Sequence, residues 1–399
     1  MPGFELFGAE EKKEVQDVLD NGVLMRYGFD GNRNGHHKAL ELEKDLATRM
    51  QTDYAQVVSS GTAALTVALA CAGVGSGDEV IMPTFTFVAS FEAILSVGAT
   101  PILCDVDDTL TLAPGAVEAL ITDKTKVVMP VHMCGSMADL KAMKAICKKH
   151  NLILLEDACQ AIGGTYEGKP LGSYGDMGCF SFDYVKTVTA GEGGGLITNS
   201  KLYADRAHQY QDHGHDHIGT DRGAETHPFL GYNYRLSELH AAVGIAQLRK
   251  LDHTLALQKK NYTLLRDALT IIPEVTFRRV PDGGEESYAF LTFFLPDKES
   301  AMEAHKALGL HGVDACFYWY YNNWHYYKKW EHLLNPTSLH KLSEEQMQGL
   351  QKNNSSYASS DAWISRTVSC LIKVGWSDAE VQERASKMVK ALQSVFIIN

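Results

Sequence analysis

The chain has 399 residues, 45% of them apolar and 22% charged, with a formal net charge of −12. This is the composition of a two-domain globular protein rather than a fibrous, disordered or disulfide-stapled one, and the acidic balance makes nucleic acid and anionic membranes repelling partners on average. The eight cysteines form no C-x-x-C pair, so reduced thiols in a cytoplasm are expected; the absence of a basic leader and of a long apolar run predicts no export and no membrane span.

From about residue 55 to 200, short β-branched runs alternate with helical patterns, the pattern of a parallel α/β sheet. Strands are expected at 56–58, 79–82, 101–105, 126–131, 152–155, 177–182 and 194–198, which makes a mostly parallel seven-stranded sheet. Amphipathic stretches at 62–72, 86–97, 114–121 and 137–149 have the length of crossover helices. A helical pattern from 236 to about 270 then leaves this large domain for a smaller C-terminal α+β domain, with a strand at 286–295 and helices at 299–308 and 378–395. The expected division is 1–245 and 246–399. Residues 313–332 are dense in aromatics and read as core or a subunit contact, with a substrate-pocket wall as the alternative; the polar stretch 334–358 reads as a surface excursion.

Two residues carry the chemistry. Asp157 ends a buried strand, where ligands of open parallel sheets sit. Lys186 follows after 29 positions, between a strand and the glycine-rich run 191–195. An amine nucleophile held as a Schiff base to an aldehyde cofactor, and a carboxylate that keeps a pyridine nitrogen protonated, are the two demands of pyridoxal 5′-phosphate chemistry. The turn Ser59-Ser60-Gly61-Thr62 opens a helix whose free N–H groups suit a phosphate, and Phe87 is either a ring-stacking residue or an ordinary core phenylalanine. His213, His215 and His217 alternate, and on a strand would share a face as metal ligands do; no acid or cysteine set completes such a shell, so no metal is expected. Together with Arg222 and Arg235 they are expected to donate to a substrate carboxylate.

The ordered motifs Ser60-Gly-Thr-Ala-Ala-Leu65, Pro83-Thr-Phe-Thr-Phe-Val-Ala-Ser90, Glu156-Asp-Ala-Cys-Gln160, Ser181-Phe-Asp-Tyr-Val-Lys186 and Gly231-Tyr-Asn-Tyr-Arg235 resemble those of the DegT/DnrJ/EryC1/StrS sugar aminotransferases. The resemblance implies a fold-type I pyridoxal phosphate enzyme in which Lys186 binds the cofactor covalently, Asp157 pairs with its ring nitrogen and Gln160 lies near its hydroxyl. It further implies that Gly61, Thr62 and Ser181 hold the phosphate, that Phe87 stacks on the ring, and that Asn233 completes the site of the other subunit of a homodimer. Relatives that dehydrate sugars carry histidine in place of the lysine, so Lys186 favours amination over that rival, and the intact Asp157, Lys186 and Ser181 set favours an enzyme over a non-catalytic binding protein. The opening Met1–Gly8, Val131–Met137, Asp212–Glu225 and Cys316–Tyr326 segments resemble members that take a free eight-carbon sugar acid bearing an aldehyde, with L-glutamate as amino donor. Cys370-Leu-Ile-Lys373 replaces a proline-containing stretch common in relatives, which implies a reshaped pocket wall. His213, His215, Arg235 and Tyr318 are the expected sugar contacts.

Overall fold

The computed structural model describes residues 3–219, 221–353 and 355–396; Met1 and Pro2 of the opening motif, Thr220 of the histidine stretch and Asn354 of the polar stretch lie outside it. Helices α1 (Ala9–Asn21) and α2 (Lys38–Arg49) lead into β1 (Tyr54–Val58), and α3 (Gly61–Cys71) follows at once. Next come β2 (Glu79–Pro83), α4 (Ala89–Ser96), β3 (Thr100–Cys104), α5 (Pro114–Leu120), β4 (Thr125–Val128), α6 (Leu140–His150) and β5 (Ile153–Asp157). Two short strands, β6 (Thr165–Tyr166) and β7 (Lys169–Pro170), precede β8 (Met177–Ser181), β9 (Gly194–Thr198) and α7 (Lys201–Tyr210).

The main sheet has the order β1-β9-β8-β5-β4-β2-β3. The pairs from β8 to β3 are parallel, whereas β9 runs antiparallel to both β1 and β8. All seven strands lie where the short apolar runs place them, because most of their residues are buried on both faces of the sheet. Helix α6 shows how local chemistry sets the crossovers: the Asp139 side chain caps its start by accepting from the Ala142 amide, Lys148, Lys149 and His150 complement the dipole at its end, and Asn151 closes it in a left-handed conformation.

The single helical pattern expected over 236–270 divides into α8 (Glu238–Arg249) and α9 (Leu251–Leu269), jointed at Lys250. The Lys250 ammonium is held there by the Leu6 carbonyl and the Glu11 carboxylate, tying the joint to the N-terminal segment. Helix α9 packs on a second, antiparallel sheet of order β10-β12-β14-β13, formed by β10 (Thr276–Phe277), β12 (Phe290–Phe294), β13 (Cys316–Tyr318) and β14 (Thr367–Leu371). Strand β11 (Gly284–Glu285) joins β6 and β7 in a small third sheet. Helices α10 (Lys298–Leu310) and α14 (Asp378–Phe396) complete the core of the second sheet.

The polar stretch 334–358 is not a loose excursion. After the single turn α11 (Glu331–Leu334), it forms α12 (Glu344–Lys352), which packs on edge strand β3, and α13 (Ala358–Ile364) follows. Asn353 is buried and pairs with the open edge of β3 like another strand, accepting from the Leu103 amide and donating to the Pro101 carbonyl. An unpaired sheet edge is a template for aggregation, and this segment covers it. Its surface-facing polar residues hid that role, because the groups that dock are few: Asn353, Gln346, which donates to the Leu95 carbonyl, and the apolar pair Leu350 and Tyr357. The aromatic stretch before it divides its duties: Tyr326, Tyr327 and Trp330 belong to the core of the large sheet, while Phe317, Trp319 and His325 face a cavity.

Candidate active site

That cavity, of about 460 Å³, opens at the carboxyl ends of the parallel strands. Asp157, the last residue of β5, lies on its floor and is almost wholly buried. Its backbone is fixed on both sides: the amide donates to the Pro130 carbonyl and its carbonyl accepts from the His132 amide. One carboxylate oxygen accepts from the Cys159 amide at 3.1 Å and the other from the Ser90 hydroxyl at 2.7 Å. Ser90 has a single hydroxyl hydrogen, so Thr86, 2.7 Å away, is the donor to Ser90 in turn. These bonds leave Asp157 lone pairs for a cationic N–H in the cavity.

Behind it Glu156 is fully buried and faces away from the cavity. It accepts from His132 Nε2 at 2.8 Å and from the amides of Gly172, Tyr174 and Gly175. Burial alone would push its carboxyl up, but the His132 and amide hydrogen bonds outweigh that and hold it below the usual glutamate range. Two adjacent acids thus differ in purpose because strand alternation sends them to opposite sides.

The start of α3 forms another wall. Ser60 caps the helix by accepting from the Ala63 amide, which leaves the first amides, at Gly61 and Thr62, without an intrahelical partner. Gly61 is required by contact: a Cβ there would lie 2.7 Å from Ser181 Cβ and 3.1 Å from Ser181 Oγ. Gly194 on β9 is equally constrained, since a Cβ would meet the Ser60 carbonyl oxygen at 2.2 Å. Ser60, Gly61, Thr62 and Ser181 therefore converge on one small concavity that suits an anion.

Lys186 lies on the loop between β8 and β9 and lines the same cavity. Its amide donates to the Asp183 carbonyl, and its own carbonyl accepts from the Gly3 amide at 3.0 Å. Phe4 stacks on Tyr184 with ring centroids 4.6 Å apart, so the N-terminal segment clamps the lysine loop. Gln160 also lines the cavity, with its Oε1 taken by the Cys134 amide, and Phe87 stands on the rim against Trp324 and His325.

Of the expected site residues, Gly61, Thr62, Phe87, Asp157, Gln160, Ser181 and Lys186 are brought together. The remainder are not. Tyr318 is corrected outright: it lies on β13 between Phe317 and Trp319, so alternation turns it from the cavity into the second core, where its hydroxyl donates to the Ser365 carbonyl. His213 and His217 adopt left-handed backbone conformations, so the alternating histidines form a turn and share no strand face. Among the described residues no group of three or more His, Cys, Asp or Glu could hold a metal. Arg222 and Arg235 are both paired with the buried Asp212, and His215 with Glu225, which leaves none of them in the cavity of its own chain. Asn233 is exposed on the same segment, outside this cavity. Phe317 and Trp319 belong to the aromatic stretch for which a pocket wall is the alternative reading, and they do line the cavity; Ser90 and His325 are not singled out by the sequence, where the Thr86 and Ser90 hydroxyls, four apart beside a suspected ring-stacking residue, are the one available signal for Ser90.

An amine, a buried carboxylate with free lone pairs and a helix start whose first amides point at a tight concavity are the donor set that pyridoxal phosphate requires, and the site fits it. The profile of the DegT/DnrJ/EryC1/StrS aminotransferase family matches residues 6–387. The chain belongs to that family. It is similar to the GDP-perosamine synthase of Vibrio cholerae, 34% identical over 298 residues that make up 74% of this chain and 77% of that one. It is also similar to the L-glutamine:2-deoxy-scyllo-inosose aminotransferase of Streptoalloteichus tenebrarius, 39% identical over 71% of this chain and 68% of that one. Among solved structures, an aminotransferase from Psychrobacter cryohalolentis superposes with a TM-score of 0.83 at 26% identity, covering 98% of this chain and 97% of that chain. The 3-amino-5-hydroxybenzoic acid synthase gives 0.80 at 28% identity, covering 97% of each chain. The family is one of pyridoxal phosphate-dependent sugar aminotransferases, and the α/β fold with its mostly parallel sheet is the one these neighbours share. Among the described residues no helix is long and apolar enough to cross a membrane.

Proposed function

We propose that Lys186 is the covalent attachment point of the cofactor and that the chain transfers the amino group of L-glutamate to the C8 aldehyde of 3,8-dideoxy-8-oxo-D-manno-octulosonate. The product, 8-amino-3,8-dideoxy-D-manno-octulosonate, is a lipopolysaccharide sugar made in the cytoplasm. The observation that carries the assignment of roles is the convergence of Lys186, Asp157 and the Gly61–Ser181 concavity on one cavity. When bound, the cofactor supplies an electron sink that lets an amino group move between two carbonyl carbons.

The chain's own residues divide the remaining work. Asp157, held by Ser90 and the Cys159 amide, keeps the ring nitrogen cationic through a charge-assisted hydrogen bond. The Gly61 and Thr62 amides and the Ser181 hydroxyl would hold the phosphate, Phe87 would cover the ring and Gln160 would stand near the ring hydroxyl. Lys186 would anchor the cofactor and, once its amine is free, would serve as the general base that removes the donor's Cα proton and as the acid that returns it, so one side chain is anchor and proton carrier in turn. Asn233 stands beside the exposed Phe229, Leu230 and Tyr232, an apolar surface suited to a second subunit of a homodimer, into whose site it would reach. Any contact of His213, His215 or Arg235 with the sugar is made across that interface.

Support for the eight-carbon acid comes from the resemblance of the Cys316–Tyr326 segment and from the Cys370–Lys373 replacement, both of which reach the cavity wall. Leu371, within the Cys370–Lys373 replacement, and Phe317 and Trp319 of the aromatic segment build that wall. A second reading, a nucleotide-linked keto sugar as acceptor, is favoured by the similarity to the GDP-perosamine synthase. Incubating the enzyme with glutamate and either the 8-oxo sugar acid or a GDP-linked 4-keto sugar, with amine formation followed by mass spectrometry, separates them. Turnover of the nucleotide sugar alone would overturn the first reading.

A further inference from the structure

His325 is a cavity residue for which no role has yet been given. The segment that carries it lies alongside the Phe87 loop like an added strand: the Thr86 amide donates to the His325 carbonyl at 3.0 Å and the Val88 amide to the Trp324 carbonyl at 2.9 Å. The imidazole is wedged between Phe87 and Trp319, with ring centroids at 5.3 and 4.8 Å. Its orientation is fixed by Asn322, whose Oδ1 lies 2.8 Å from His325 Nδ1. The same oxygen accepts from the Trp324 amide at 2.9 Å, and a backbone N–H can only donate, so that atom is an acceptor. His325 Nδ1 must then carry the hydrogen, and in the neutral ring Nε2 holds a bare lone pair. Burial, with the Lys186 ammonium adding to it, pushes the imidazole pKa down to about 3, so the ring stays neutral across the working range. Nε2 has no hydrogen-bond partner among the described residues and is not one of the sealed, unpaired atoms of the interior; it opens on the cavity.

We propose that His325 is a specificity-determining residue whose Nε2 accepts a hydrogen bond from a hydroxyl of the sugar substrate. The proposal rests on the aminotransferase reading above. Phe87, Phe290, Phe317, Trp319 and Leu371 of the lining offer a polyhydroxylated substrate no acceptor, and beside the Asp183 and Glu192 carboxylates the His325 lone pair is one whose direction is fixed, so it can discriminate between hydroxyl positions. Glutamate, whose carbon chain bears carboxylates and no hydroxyl, does not use it.

Each half-reaction is measured separately in the holoenzyme, with glutamate and with the 8-oxo sugar acid as probes, alongside the dissociation constant of the amino-sugar product. His325→Phe keeps the ring stack and removes the acceptor; it is expected to weaken product binding and lower sugar kcat/KM about 10- to 100-fold while the glutamate half-reaction stays within twofold. His325→Gln, which places an amide oxygen near the Nε2 position, should recover most of the loss. Asn322→Asp adds a carboxylate that favours the doubly protonated ring, so its sugar kcat/KM should be low and rise with pH, which keeps the test alive if the phenylalanine variant fails to fold. Equal losses in both half-reactions, or none in the sugar half-reaction, would overturn the proposal. Wild-type enzyme that converts the cofactor with neither probe would instead sink the parent reading.

Discussion

Gly61→Ala tests the phosphate concavity by geometry alone. The added Cβ would stand 2.7 Å from Ser181 Cβ and 3.2 Å from Cys159 Sγ. Carbon atoms rest at about 3.5–4.0 Å, so α3 and the end of β8 must separate by roughly 0.8 Å or more. Nearly every residue of α3 is buried, which leaves the helix no room to slide as a body, and the strain falls on the concavity itself. Overpacking of this kind costs about 1–3 kcal/mol, and at 1.4 kcal/mol per tenfold that is about a 5- to 150-fold loss of cofactor affinity if the strain falls on the bound state. The assay is titration of the apoenzyme with pyridoxal phosphate, followed by absorbance, with thermal melting of the apoenzyme beside it. Gly115→Ala is the control: open space surrounds that position on α5, and no change beyond about 0.5 kcal/mol is expected. If Gly61→Ala binds the cofactor within threefold of wild type, the phosphate does not lie where the concavity places it.

Ser90→Ala removes a hydrogen bond to a buried carboxylate, worth about 1.5–3 kcal/mol, and should lower kcat while blue-shifting or weakening the cofactor's visible band; an unchanged spectrum and rate would show that Asp157 needs no such support. Glu156→Gln should destabilise the protein by about 3 kcal/mol near neutrality, since a buried carboxylate that accepts from His132 and three backbone amides is replaced by an amide with only one acceptor oxygen. The folded-state pKa of Glu156 lies below its ordinary value of 4.5, so its contribution is complete above that pH and is lost as pH falls through the folded value. The gap in Tm between variant and wild type should therefore be widest at neutral pH and narrow below about 4.5; a gap that widens in acid would reverse the assignment.

The seven strands and the crossover helices were legible because a strand buried on both faces is a short apolar run, and the regular alternation of such runs with longer helical stretches separates the two. The reversed direction of β9 was not, since burial pattern carries no sign of strand polarity. That Asp157 and Lys186 share one cavity was legible from position: Asp157 ends a strand and Lys186 lies in the loop that follows another, and in a parallel sheet both then fall at the carboxyl ends of the strands. Residues that act through side-chain orientation escaped. Tyr318 was chosen for its aromatic company, whereas one step of strand alternation decides that its neighbours face the cavity and it does not. The histidine and arginine stretch read as donors to a substrate carboxylate, whereas left-handed turns at His213 and His217 and the buried Asp212 draw its cations inward. Ser90 and His325 became visible only once chain segments far apart in sequence were brought together.

The account stands most directly on which side chain carries the cofactor. Reduction of the reconstituted holoenzyme with borohydride, followed by proteolysis and peptide mass mapping, should place the pyridoxyl group on the peptide that contains Lys186, and Lys186→Ala should lose both that adduct and all turnover. An adduct on another lysine, or a Lys186→Ala enzyme that still aminates its sugar, would contradict it.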